Sequence, residues 1–136
     1  MALFMVASCQ KESASEYPFL GEWHYEATES RVAEDVWISF LPDGTFEMYQ
    51  MIGEGPYWYS TGEFTYDFAE AVLSGIYSDR CPWKRSYQIV AGQKTLKMIF
   101  MDQPEKSMIY RRFPIPSFVR EKSLPLTKAE SVERHL

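Results

Sequence analysis

The chain predicts an all-β fold, an eight-stranded antiparallel up-and-down barrel followed by a short C-terminal helix. Three observations carry this expectation. Turn-forming clusters are centred near positions 30, 43, 55, 68, 80, 92 and 104, a spacing of 12 or 13 residues. Between them, apolar and polar side chains alternate with the two-residue period of half-buried strands. Connections this short join only antiparallel neighbours, because a parallel crossover takes about a dozen residues or more.

The first strand sets Trp23, Tyr25 and Ala27 against Glu22, His24 and Glu26. The second sets Val36, Ile38 and Phe40 against Asp35, Trp37 and Ser39, and the third sets Phe46 and Met48 against Thr45 and Glu47. Between these two lies Pro42-Asp43-Gly44, the sharpest local signal. Proline presets φ there, aspartate bonds its own backbone, and glycine accepts positive φ. The fourth strand alternates Phe64 and Tyr66 with Glu63, Thr65 and Asp67. The sixth places Tyr87 and Ile89 on one face, and the seventh places Leu96, Met98 and Phe100 on one face. The fifth, from Val72 to Tyr77, and the eighth, from Met108 to Arg112, alternate less cleanly. One or two helical turns starting at Pro116 are expected next, and residues 123–136 are polar and expected to fray. The division is residues 1–17 as signal peptide and tether, 18–113 as barrel, and 114–136 as short helix and polar tail.

Composition agrees with a single folded domain. The 136 residues are 46% apolar and include nine Tyr, nine Phe and four Trp, far too aromatic for a disordered chain. No apolar run approaches the ~20 residues of a membrane-spanning helix. A net charge of −5 argues against nucleic acid as a partner. That charge is unevenly spread: residues 1–79 carry a balance of −12 and residues 80–136 a balance of +7. In a closed meander the last strand returns beside the first. Glu22 and Glu26 are therefore expected to face Arg111 or Arg112 across the closing seam.

The chain opens with Met1-Ala2-Leu3-Phe4-Met5-Val6-Ala7-Ser8-Cys9, then turns polar. Val6-Ala7-Ser8-Cys9 resembles a bacterial lipobox, an aliphatic residue and two small ones before the cysteine that receives lipid. The resemblance implies a mature chain starting at a lipidated Cys9 and membrane attachment through that anchor. It implies an outer-membrane lipoprotein of the bacterial cell envelope. Gln10-Lys11-Glu12 resembles the start of a surface-export signal, with Ser13 where a second acidic residue usually follows. The periplasmic and surface faces both stay open. Cys81, the other cysteine, reads as an inert loop thiol: the two histidines, His24 and His135, fall in a strand and in the tail.

Phe19-Leu20-Gly21-Glu22-Trp23 opens the first strand, Phe40 and Asp43 to Phe46 form the hairpin, and Tyr110-Arg111-Arg112 closes the last strand. Together these resemble the lipocalin-like domains of small bacterial lipoproteins. The resemblance implies that Gly21 permits close packing, that Trp23 plugs one end, and that Arg111 or Arg112 lies over its ring. Arg112 shares strand parity with Tyr110 and is the preferred partner.

An eight-stranded barrel is filled by side chains or holds one small ligand. Tyr25, Phe40, Phe46, Met48, Phe64, Tyr66, Tyr87, Met98, Phe100 and Tyr110 are the candidate ligand-lining residues. A filled core and a ligand cup both fit them. Tyr57, Trp58 and Tyr59 are a candidate surface patch for a glycan or protein, or else an aromatic ladder on an edge strand. There is no phosphate-binding glycine loop, no His-x-x-x-His, no Cys-x-x-Cys and no nucleophile elbow. No catalytic residue, metal or cofactor is assigned and no enzyme is expected. The expected protein is a monomer that binds a small apolar or amphipathic ligand. The alternative is a filled scaffold that contacts an envelope partner.

Overall fold

The computed structural model describes residues 17–27, 33–126 and 133–136. The segment that resembles a lipobox, with Cys9, lies outside the described residues. Eight strands follow in order: β1 (Gly21–Ala27), β2 (Glu34–Phe40), β3 (Thr45–Ile52), β4 (Trp58–Asp67), β5 (Val72–Tyr77), β6 (Tyr87–Ala91), β7 (Thr95–Phe100) and β8 (Ser107–Arg112). A short helix, α1 (Ser117–Lys122), and a two-residue strand, β9 (Leu124–Pro125), come after them. Each of the eight strands pairs antiparallel with its neighbours in sequence, and β8 pairs with β1, so the sheet closes into the expected barrel.

The turns work as their residue types suggest. In the β2–β3 hairpin, Gly44 takes φ +90°, and the Asp43 carboxylate accepts from the Thr45 amide and hydroxyl. Opposite alternate residues of the strands, the core holds Trp23, Ile38, Phe40, Phe46, Met48, Phe64, Tyr87, Ile89, Leu96, Met98 and Tyr110, all buried. Tyr25, Tyr66 and Phe100 are half-buried and pack against that cluster.

The irregular fifth strand has a physical explanation. Leu73 and Tyr77 face inward with Gly75 between them, and the missing side chain is replaced from outside the strand. Trp83, in the β5–β6 connection, lays its indole there, and a Cβ on Gly75 would fall 2.4 Å from it. The Trp83 amide donates to the Gly75 carbonyl. β5 and β6 share only two residue pairs, so this indole fills the space where the strands part.

The opposite arrangement closes the other end. Arg112 lies over Trp23, its guanidinium carbon 4.2 Å from the ring centroid. It donates through Nη1 to the Leu20 carbonyl and through Nε to the Gln93 carbonyl. Gly21 takes φ +116°, and a Cβ there would stand 2.4 Å from Arg112 Nη1. The Trp23 indole donates to the Phe19 carbonyl, and Phe19 is itself fully buried against Phe40, Phe64 and Tyr66. The alternative Arg111 pairs in register with His24 and Thr95, one parity off, and is exposed.

Two expectations are corrected. Glu22 forms its ion pair with Arg120 of α1, and its other oxygen accepts from the Ile115 amide. Among the described residues, neither Glu22 nor Glu26 bridges Arg111 or Arg112. The reason is the helix. It packs Val119 and Ile115 onto Trp37 and Tyr49 on the outer wall, which carries Arg120 over the β1–β3 face, where it also reaches Glu47 and the Tyr49 hydroxyl. The tail is corrected too. Leu124 and Pro125 pair parallel with Trp58 and Tyr59, and His135 and Leu136 are buried at one end of the barrel instead of fraying.

Arg112→Ala is expected to lower stability by about 1–2 kcal/mol, through the cation–π contact and the lost hydrogen bonds. Arg111→Ala is expected to stay within about 0.5 kcal/mol of the parent. Denaturant midpoints of the two variants check the contrast.

Candidate functional site

The end of the barrel away from Trp23 is closed by residues from far along the chain. Here β1, β2, β3 and β8 contribute Tyr25, Glu34, Gln50 and Tyr110, and the end of β5 contributes Tyr77. Residues 133–136 lie across them. His135 and Leu136 are buried, 4% and 1% exposed, and Leu136 belongs to the main core cluster.

The contacts are specific. Gln50, fully buried, donates from Nε2 to the Glu133 carbonyl at 2.8 Å and accepts through Oε1 from the His135 amide at 2.9 Å. Arg134 makes a two-point ion pair with Asp79, at 2.8 and 3.2 Å, and its guanidinium carbon lies 4.3 Å from the centre of the Tyr77 ring. That ion pair, with the Cys81 amide, holds the Asp79 carboxyl down at about 2. The Tyr77 hydroxyl donates to the main-chain oxygen of Leu136 at 3.2 Å. The His135 Nε2 and Tyr110 hydroxyl lie 2.6 Å apart, and His135 Nδ1 lies 3.4 Å from Glu34 Oε2.

Charge fixes the proton positions in this chain of contacts. Burial disfavours the imidazolium and pushes His135 below its ordinary value, against the pull of Glu34. Burial also drives the Tyr110 phenol well above its ordinary value. Neutral His135 then accepts from the Tyr110 hydroxyl and turns its N–H toward Glu34. The hydrogen bond from His135 holds the Glu34 carboxyl below its usual range. The Tyr110 hydroxyl donates to His135 and ties residue 135 to β8.

Three buried polar atoms have no hydrogen-bond partner among the described residues: Ser60 Oγ, Trp83 Nε1 and the Tyr87 hydroxyl. Burial pushes the Tyr87 phenol up to about 12, against the pull of the Arg85 charge. Orphaned buried groups of this kind cost about 1–3 kcal/mol each and are uncommon in a core built only for packing. Three clefts open to solvent beside residues 133–136. One, of about 450 Å³, reaches Tyr25, Phe100, Met108 and His135, and another, of about 340 Å³, lies between Glu34, Ile52, Lys84 and Arg134. The third, of about 340 Å³, lies between Tyr59, Ser60, Asp79, Leu126 and Arg134.

No protein-family model, curated protein or solved structure matches the chain. Its site is therefore read from its own geometry.

The candidate lining residues divide by their contacts. Tyr25 and Tyr110 contact His135, and Phe100 lines the cleft that His135 borders. Tyr87 meets Trp83 and Phe100, and Met48 and Met98 are buried in the main core cluster. Phe40, Phe64 and Tyr66 pack with Phe19 and Tyr17 at the Trp23 end. Phe46 meets Trp83 and Tyr77. Gln50, Ser60, Tyr77, Trp83 and His135 escaped sequence reasoning. A Gln and a Ser at inward parity on β3 and β4 were the available signal, since polar residues there interrupt an otherwise apolar face.

The three aromatics at Tyr57, Trp58 and Tyr59 do not form one surface patch. Strand alternation sends Tyr57 and Tyr59 outward, where they pack half-buried against the Trp37–Val119 cluster. Tyr59 stacks on Tyr49, with centroids 4.9 Å apart. Trp58 is in register with buried Gln50 and shares its inward face. The Tyr57 hydroxyl donates to Asp35, which also accepts from the Trp37 indole and bonds His24. Burial and that carboxylate push the Tyr57 phenol up to about 12. This knot pins the outer wall. Cys81 is half-buried in its loop, with its amide bonded to Asp79.

The lowered value of His135 gives stability a sign with pH. The unfolded chain takes up this proton near pH 6.5 and the folded chain only at lower pH, so stability rises with pH across that window. The His135 contribution is present above about pH 6.5 and lost as pH falls below it. The denaturant midpoint should therefore drop between pH 7.5 and 5.5, and His135→Asn should flatten that slope. An equal slope in both proteins contradicts this origin.

Proposed function

We propose that this is a lipid-anchored protein of the bacterial cell envelope whose lipocalin-like barrel binds a small amphipathic ligand at the end away from Trp23. The observation that carries the reading is the composition of that end. Gln50, Ser60, four tyrosines and an indole face an interior that is otherwise apolar, and among the described residues three of their polar atoms have no hydrogen-bond partner. Ligand sites combine an apolar lining with a few placed polar groups in this way. The Trp23 end contrasts with it, since packed phenyl rings and the Arg112 cap fill that end.

The reading is of a binding site, in which Glu34 and Asp79 are engaged by His135 and Arg134. The alternative is a filled barrel that acts as a scaffold for an envelope partner. Tyr57 and Tyr59 face outward and Trp58 inward, so such a contact would not use the three rings as one patch.

Native mass spectrometry of the protein purified from cells that produce it is expected to show a bound small molecule, released by organic solvent. A single mass equal to the bare lipidated chain counts against the binding role. Cys9→Ala is expected to abolish incorporation of radiolabelled palmitate and to move the protein from the membrane to the soluble fraction. Retention of label in that variant contradicts the anchor.

A further inference from the structure

The contacts at the far end of the barrel read a peptide, feature by feature. Gln50 spans Arg134 by taking the carbonyl before it and the amide after it, as an adjacent strand would. That two-point contact recognises extended backbone whatever the side chain. Side-chain contacts add selectivity: Asp79 grips the guanidinium of Arg134 over the Tyr77 ring, the Tyr110 hydroxyl and Glu34 bracket the His135 imidazole, and Leu136 is buried in the core.

We infer that the far end of this barrel is a peptide-binding site, that residues 133–136 are its internal occupant, and that it accepts in trans a short extended peptide of the form Arg-His-aliphatic. The inference rests on the binding role proposed above and names its ligand class. Its physical basis is the fully buried Gln50 amide. Removal of residues 133–136 leaves its donor and acceptor unpaired in an apolar wall, where a hydrocarbon chain offers neither partner. A second peptide restores both at once. The tethered segment competes with that peptide at an effective concentration on the order of millimolar, so the unsubstituted protein binds weakly in trans.

The test uses the full chain carrying Arg134→Ala, His135→Ala and Leu136→Ala together, with a fluorescein-labelled hexapeptide Ser-Val-Glu-Arg-His-Leu as probe. Fluorescence anisotropy should show saturable binding to the variant at least tenfold tighter than to the unsubstituted protein. A scrambled hexapeptide should not bind, and adding Gln50→Leu or Asp79→Ala should weaken binding at least tenfold. Near-UV circular dichroism establishes that each variant keeps its barrel. Should the triple variant not fold, the unsubstituted protein serves instead: excess unlabelled hexapeptide should speed hydrogen exchange at the His135 amide by displacing the internal segment. Dodecanoate, titrated in parallel with the same proteins, separates the two readings. Binding of dodecanoate without binding of the hexapeptide overturns the peptide inference and leaves the binding role standing. Binding of neither to a folded variant overturns both, and unchanged exchange at His135 under excess hexapeptide likewise overturns the peptide inference.

Discussion

Arg112 lying over Trp23 closes a barrel whose final seam is otherwise thin. β1 and β8 share two residue pairs, against seven between β1 and β2. Backbone pairing alone leaves such a seam weakly specified, since a slip of one residue turns every side chain to the other face. The guanidinium removes that freedom by engaging the Trp23 ring, the Leu20 carbonyl and the Gln93 carbonyl together. Gly21 is required beside it because any Cβ would occupy the same space. Once Arg112 is fixed, Tyr110 is directed inward to meet Tyr25, and the chain leaves β8 where Glu22 can receive the Ile115 amide and Arg120.

A closed cylinder must then be filled, because protein interiors pack as densely as organic crystals. Strand side chains supply most of the volume. Two glycines adjust it by absence: Gly75 admits the Trp83 indole, and Gly62 lies against Phe46 and the neighbouring strand, where a Cβ would fall within 2.1–2.8 Å of other atoms. The far end is filled differently, by a backbone segment. Backbone brings amides and carbonyls that require partners when buried. The inward Gln50 and the Tyr77 hydroxyl meet that requirement, which places polar groups at one end of an otherwise apolar interior. The same chemistry that holds residues 133–136 suits a peptide arriving from outside.

The strand count, the turns, the helix beginning at Pro116, and the Trp23–Arg112 pairing were legible in the sequence. The strands, turns and helix depend on local signals such as the two-residue alternation and Pro-Asp-Gly at the hairpin. An arginine over Trp23 was implied by the resemblance to lipocalin-like domains, and strand parity only preferred Arg112 to Arg111. The inward facing of Phe40, Phe46, Met48, Phe64, Tyr87, Met98 and Tyr110 was legible by the same parity. Residues 133–136 were not, because Glu-Arg-His-Leu carries no period and reads as a solvated tail. The Glu22 partner was misread for a related reason, since charge arithmetic across a seam takes no account of a helix folding back over it.

The chain by itself determined the barrel, because alternation and turn chemistry are written in neighbouring residues. Only the tertiary structure decided what occupies its interior. The Gln50 contact joins residues 83 apart, and the Glu34–His135 contact joins residues 101 apart. Such contacts gain their strength from burial that exists only after closure, when an unpaired amide has no water left to turn to.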